Sequence, residues 1–252
     1  MERLDSFYSE CLGTPVNKIK SGKIKIVSSE RRLTREEGYG VIFPFLLLYS
    51  SNRCIISVRP DLIDLVSALI HDETDAKMLF NDAGGKIVES LCRSVIPKDF
   101  SSRLRSVYSL ELFVDRDQFR QYNIPECRRL TKDDHELIDE MNEISDFTCP
   151  DECIKDGTAF GVFVDGKIVA RSTTIHTPIA TQKYNLVWIG VETLPEYRQK
   201  GYAKAVVSGT TDALLLRGQT PVYTHAVWNV ASGRTAKALG YQLYGELLRW
   251  QY

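Results

Sequence analysis

Strand and helix patterns alternate along this 252-residue chain, and the fold class they predict is α/β, in the mixed α+β sense. Three features carry that expectation. An apolar run over 186–191 is followed by a short basic glycine loop, and then by a helical pattern in which Ala203, Val206, Val207, Thr210 and Leu214 share one face. Two apolar runs, 160–164 and 167–170, flank Asp165-Gly166, a pair that accepts the positive φ angles of a tight hairpin turn. Residues 222–250 then read strand, helix, strand.

The first half reads as a smaller α/β unit. Residues 41–49 and 54–58 are apolar enough for buried strands, with Ser51-Asn52 as the turn between them. The first run is far shorter than a membrane span and contains Pro44, so it is a core strand and no anchor. Pro60 opens a helix over 61–70. A second helical stretch covers 76–95, and Gly84-Gly85 is expected to break it. Tyr108, Leu110, Leu112 and Val114 alternate with Ser109, Glu111 and Phe113, which predicts another strand. Residues 116–125 are polar and end in Pro125, the features of a linker, so the expected domains are 1–118 and 126–252.

In the second half, Thr131 can cap a helix and Asp134 stands where a reciprocal capping partner belongs. Leu137, Ile138, Met141 and Ile144 give that helix its apolar stripe. The hairpin and the strand at 186–191 follow. Residues 222–228 read as a strand, and 229–239 as a helix closed by Gly240, where a left-handed backbone is tolerated. Residues 241–250 return as a strand.

Strand, basic glycine loop and helix together point unpaired backbone N–H groups and the positive end of a helix at one spot, which suits a phosphate. Neither common nucleotide loop, G-x-x-x-x-G-K-[ST] or G-x-G-x-x-G, is present. The arrangement Arg198-x-x-Gly201-x-Ala203 instead resembles the pyrophosphate loop of the GNAT superfamily of N-acyltransferases. The preceding residues 193–197 fit it, as do Asn229, Ser232 and the ending Leu239-Gly240-Tyr241, and the resemblance extends over about 126–252.

The resemblance implies a mixed sheet with helices on both faces and acetyl-CoA as co-substrate, and a degenerate second copy is one option for the first half. It implies that backbone groups of Val191 and Thr193 hold the pantetheine arm. Those of Arg198, Gln199, Lys200, Gly201, Tyr202, Ala203 and Lys204 would take the pyrophosphate, with Asn229 and Ser232 near the thiol. Many members carry a base earlier on the strand, where Leu186 and Val187 stand here. Glu192 is the only carboxylate on this strand, so it is the candidate base, with a surface or hydrogen-bonding role as the alternative. The tyrosine that protonates the thiolate in many members is replaced by Ala236. His176, His225, Tyr241 and Tyr244 are polar groups that could stand in, or simply pack.

Composition narrows the function classes. Lysine and arginine number 32 against 33 aspartates and glutamates, a net charge of −1, so a nucleic-acid partner is not expected. The local basic run, Lys18, Lys20, Lys23, Lys25, Arg31, Arg32 and Arg35, reads as a solvated surface. The 6 cysteines are scattered and the first residues are charged without an apolar leader, so reduced thiols and a cytoplasmic location are expected. Cys149 and Cys153 lack a second pair, so no metal is expected. The expected function is transfer of an acetyl group from acetyl-CoA to an amine by direct attack, by a monomer or homodimer. The alternative is a non-catalytic acyl-CoA-binding protein. A transferase using aminoacyl-tRNA fits neither the loop nor the neutral charge.

Overall fold

The computed structural model describes residues 1–36, 40–145, 147–175 and 179–252. Among these, ten strands form one sheet. In chain order they are β1 (Ile24–Ser28), β2 (Phe45–Ser50), β3 (Arg53–Val58), β4 (Arg105–Phe113), β5 (Cys127–Arg129), β6 (Phe160–Val164), β7 (Lys167–Ile175), β8 (Leu186–Thr193), β9 (Thr220–Ala226) and β10 (Gln242–Gln251). The spatial order is β1-β3-β2-β10-β4-β9-β8-β7-β6-β5, parallel at β1–β3 and β8–β9 and antiparallel elsewhere.

The order has a consequence for the two halves. β4 comes from the first half, yet it lies between β10 and β9 of the second, with Ser109 to Phe113 in register with Ala226 back to Val222. β2 closes the other side of β10, from Phe45 opposite Trp250 to Tyr49 opposite Glu246. One hydrogen-bonded ladder therefore crosses from each predicted unit into the other.

Helices cover both faces, so the central strands are apolar on both sides. On one face lies α1 (Glu2–Leu12), whose Leu4, Phe7, Tyr8, Cys11 and Leu12 are buried against Leu48, Phe113, Trp188 and Val222. That spacing is an amphipathic stripe, and α1 is an element the sequence reading passed over. α5 (His135–Glu143) lies on the same face, reaching Arg171 of β7 through Asn142. The other face carries α2 (Ile63–Leu69), α3 (Glu73–Met78) and α4 (Asp82–Val95) over β2, β3 and β10, and α7 (Tyr202–Leu216) and α8 (Val230–Ala238) over β4, β8 and β9. The short α6 (Asp151–Lys155) precedes β6. No helix among the described residues is long and apolar enough to cross a membrane.

Local chemistry explains where the elements begin and end. Both expected hairpin turns form, with φ of 50° and 60° at Ser51 and Asn52 and 49° and 75° at Asp165 and Gly166. Thr131 and Asp134 make the reciprocal capping box. The helical stretch over 76–95 does break, but not at Gly84-Gly85: the break is at Leu79 to Asn81, and Asn81 caps α4 by accepting from Gly84 N–H. Gly84 sits inside the first turn of α4, where a Cβ would lie 2.2 Å from the Met78 carbonyl oxygen, so its role is close packing. β9 stops at Ala226, earlier than expected, and leaves Trp228 80% exposed.

The polar stretch before β5 lies across α7 and the end of α8. Arg120 N–H donates to Leu239 O at 3.0 Å, Tyr122 N–H to Ser208 Oγ at 2.8 Å, and Arg116 pairs with Asp212 at 2.6 Å. Gly240, at φ 91°, gives the strap room, since a Cβ there would lie 2.0 Å from Gln118 O.

Candidate active site: a fork between two parallel strands

β8 and β9 pair only at Leu186–Thr220, Val187–Pro221 and Trp188–Val222. Beyond Trp188, β8 keeps its ladder to β7 up to Thr193, while β9 keeps its ladder to β4 up to Ala226. The two strands part there, and the backbone groups of Ile189 to Thr193 that face β9 have no strand partner. Main-chain donors and acceptors inside a fold are normally paired. An open fork therefore offers a ready edge for an extended ligand bearing amide groups, with Val191 and Thr193 on its rim. The Thr193 hydroxyl is also buried without a partner.

The loop expected to take phosphate leads directly from this rim. A turn at Pro195–Tyr197 precedes it, Arg198 Nε returns to Thr193 O at 3.2 Å, and Gln199 and Gly201 take φ of 65° and 84°. Gly201 caps α7 without a side chain, and the first amide to bond back into the helix is Ala205 N–H, to Gly201 O at 3.1 Å. The N–H groups of Tyr202, Ala203 and Lys204 therefore sit in the unpaired first turn, at the positive end of the helix. Arg198, Gln199 and Lys200 are exposed, and Tyr202, Ala203 and Lys204 partly buried. Tyr122 of the strap closes one side: its hydroxyl lies 3.1 Å from where a Gly201 Cβ would stand, and Lys204 Nζ lies 3.5 Å from its ring centroid.

At the other arm, Asn229 caps α8 by accepting from Ser232 N–H at 3.2 Å. The Ser232 and Tyr223 hydroxyls share a hydrogen bond of 2.8 Å, and burial raises the Tyr223 phenol above its ordinary range. Tyr223 and Ala236 lie in the same buried cluster, so a phenol from β9 stands close to the helix position that lacks one. Three groups named as stand-ins have other partners. Tyr241 bonds Thr211, Tyr244 donates to Asp5, and His225 Nδ1 bonds Ala226 O. His176 lies outside the described residues.

The face away from α7 and α8 carries the carboxylates. Glu192 is opposite Arg171 in the β7–β8 ladder. It accepts from the Ser145 hydroxyl and lies 3.8 Å from the Arg171 guanidinium, which is itself buried and donates to Asn142 Oδ1 at 2.6 Å and to Ser145 Oγ at 3.2 Å. Burial pulls Arg171 below its usual range, opposed by the nearby negative charges. Phe147 covers Gly190, two residues before Glu192, where a Cβ would lie 2.1 Å from the ring. Glu111 of β4 is a second carboxylate on this face. β4 is central and covered on both faces, so Glu111 is buried. The available signal was one carboxylate set between Leu110 and Leu112 in a strand that ends apolar.

The family model "GNAT acetyltransferase" matches residues 68–247, which takes in β4 as well as the fork. A GNAT-family protein from Novosphingobium aromaticivorans DSM 12444 is 20% identical, covering 58% of this chain and 65% of its own, with a TM-score of 0.46. A GNAT-family acetyltransferase from Colwellia psychrerythraea is 14% identical over 66% of this chain and 61% of its own, TM-score 0.48. A GCN5-related N-acetyltransferase-like protein from Streptococcus suis 89/1591 is 16% identical over 82% and 84%, TM-score 0.44. The chain thus spans under two thirds of the length of the first two. No curated relative matches it. The family match spans most of the sequence, and the chain belongs to the GNAT acetyltransferase family.

Proposed function

We propose that this protein transfers an acetyl group from acetyl-CoA to the amine of an acceptor by direct attack, and that the fork is where it does so. The observation that carries the reading is the continuity of fork and loop. Strand edges left open beyond Trp188 run straight into the unpaired amides at the start of α7. An extended amide-bearing arm that ends in a pyrophosphate matches both in order. Val191 and Thr193 would hold the arm through backbone groups. Arg198, Gln199, Lys200, Gly201, Tyr202, Ala203 and Lys204 would cradle the phosphates, and Asn229 and Ser232 would border the thiol end.

The amine must lose a proton, add to the thioester carbon and displace the thiolate as the C–S bond breaks. Glu192 is the group we assign to take that proton. Its side chain is 27% exposed, and Ser145 and Arg171 fix its position. Tyr223, through its contact with Ser232, is the phenol we assign to the thiolate side in place of the residue missing at Ala236. The six cysteines are all free thiols, which supports a cytoplasmic setting.

Ala236 is the specific observation that favours a non-catalytic acyl-CoA-binding protein instead. Turnover separates the two. Both readings require acetyl-CoA to bind in calorimetry, but only the enzyme releases free CoA faster when amines are supplied. A protein that binds acetyl-CoA and releases no CoA with any amine tested is the sensor, not the transferase.

A further inference from the structure

Two carboxylates stand on the acceptor face of the fork, and only one has a counter-charge. Glu192 has Arg171. Glu111 is 1% exposed, and its Oε2 accepts from Thr224 Oγ1 at 2.9 Å and from Trp188 Nε1 at 3.3 Å. Among the described residues it forms no ion pair, and its Oε1 accepts no hydrogen bond. A buried carboxylate is costly unless a cation or several donors compensate it, so two neutral donors leave it under-satisfied.

Its place in the fork is specific. Trp188 is the last β8 residue paired with β9, and Thr224 is the next β9 residue on that face beyond the split. Glu111 is therefore held by one donor from each arm. Ser109, two residues along β4 on the same face, is 1% exposed and its hydroxyl has no partner. The surroundings add no clear balance. Tyr244, whose hydroxyl donates to Asp5 at 3.0 Å, feels the charges of Asp5, Arg53 and Glu111, but Arg53 makes no ion pair with Glu111.

We infer that Glu111 binds a positively charged group of the acceptor, separate from the amine that is acylated, so the acceptor class is a diamine or a larger polycation. This rests on the acyl-transfer reading above. The attacking nitrogen must be neutral and belongs beside Glu192 on β8. β9 lies between β8 and β4 and parts from β8 beyond Trp188, so at about 4.8 Å per paired strand the two carboxylates are more than about 10 Å apart. One molecule with two amino groups can meet both. Fixed negative charge where the far amine docks stabilises it without touching the reacting bond, so the contribution is to acceptor binding.

The test compares linear diamines with amino alcohols of the same length, using the full chain and acetyl-CoA and following CoA release. The diamine should show a KM at least tenfold lower than the amino alcohol. Glu111→Gln should raise the diamine KM to the amino-alcohol value, with kcat changed less than threefold and acetyl-CoA affinity unchanged. Equal KM values for the two probes on the unmutated protein overturn the inference, even where the variant fails to fold. A diamine preference that survives in Glu111→Gln overturns it as well. Acetyl-CoA binding without any CoA release would sink the transferase reading alone. Glu111 is then decided by calorimetry of the diamine on CoA-loaded protein, where an at least tenfold loss in the variant supports the assignment and no change overturns it.

Discussion

The guanidinium of Arg171 lies 3.8 Å from the carboxylate of Glu192, and the two residues are direct partners in the β7–β8 ladder. A buried cation and a partly exposed anion thus share one position, with Ser145 hydrogen-bonded to both. This pair gives Glu192 a fixed direction, and it also gives a reason other than catalysis for its presence. Glu192→Gln separates the two. If Glu192 takes the amine proton, the variant should lose about ten- to ten-thousand-fold in kcat with acetyl-CoA affinity nearly intact. The loss should shrink at high pH, where more of the acceptor is already neutral. Near-normal kcat across the pH range, with a lowered unfolding midpoint, would leave Glu192 as only the partner of Arg171.

Gly201 is the position at which the phosphate cradle is most easily tested. Its φ of 84° strains any L side chain, and Tyr122 leaves only 3.1 Å for a Cβ. Gly201→Ala should therefore cost about 1 kcal/mol in stability from backbone strain. Gly201→Glu adds a negative group where the phosphates belong, so acetyl-CoA affinity should fall at least a hundredfold. The unfolding midpoint should drop no further than in the alanine variant. Calorimetry and thermal unfolding on the same samples check it. Equal acetyl-CoA binding by the glutamate variant would remove the loop from the site.

Residues 1–118 contribute a strand to the middle of the sheet and not only a neighbouring surface. Without them β9 loses β4, and β10 loses both β4 and β2. Tyr241 would also lose Leu112 from their shared buried cluster. A fragment of residues 119–252 should therefore show no cooperative unfolding and no acetyl-CoA binding. A folded fragment with full activity on the same amine would show that the first half is dispensable.

The sequence exposed what depends on local backbone chemistry and hid what depends on long-range pairing. Asp165-Gly166, Thr131 with Asp134, and the glycine that opens α7 are each set by residues within a few positions of one another. They could be read directly. The insertion of β4 beside β9 joins residues over a hundred positions apart, and nothing in either strand names its partner. Glu111 was obscured for that reason. A carboxylate alternating with leucines is the pattern of a half-exposed strand, and only the central place of β4 turns it inward. The strap over α7 was missed differently, because its anchors are main-chain groups of Arg120 and Tyr122, which composition does not report.

Tyr223→Phe tests the thiolate side. The substitution removes only the hydroxyl that meets Ser232 and keeps the ring packed in its cluster. A CoA thiol leaves readily on its own, so loss of a proton donor should lower kcat by only about ten- to a hundredfold. Acetyl-CoA affinity should hold. An unchanged kcat, measured on an acceptor for which chemistry limits the rate, would mean that water protonates the thiolate.

Asp134 allows the fold's own electrostatics to be checked apart from the active site. Its carboxylate accepts from Arg128 at 2.6 Å and from Thr131 N–H at 2.8 Å, and these bonds, led by Arg128, hold its pKa down from 3.8 to about 2. A folded pKa below the unfolded one contributes stability that is fully present above the unfolded value. That contribution disappears as pH falls through the folded one, so the window runs from about pH 4 to about pH 2. A shift of this size corresponds to about 2 kcal/mol at most. Arg128 is 50% exposed, and solvent screening reduces the expected contribution to about 1 kcal/mol. Asp134→Asn keeps a capping oxygen but removes the charge. It should unfold at lower denaturant than the unmutated protein at pH 7, and the gap should close as pH falls towards 2. Denaturant unfolding at several pH values measures it. A gap that stays constant from pH 7 to pH 2 would show that the carboxylate acts through geometry alone and that its charge contributes nothing.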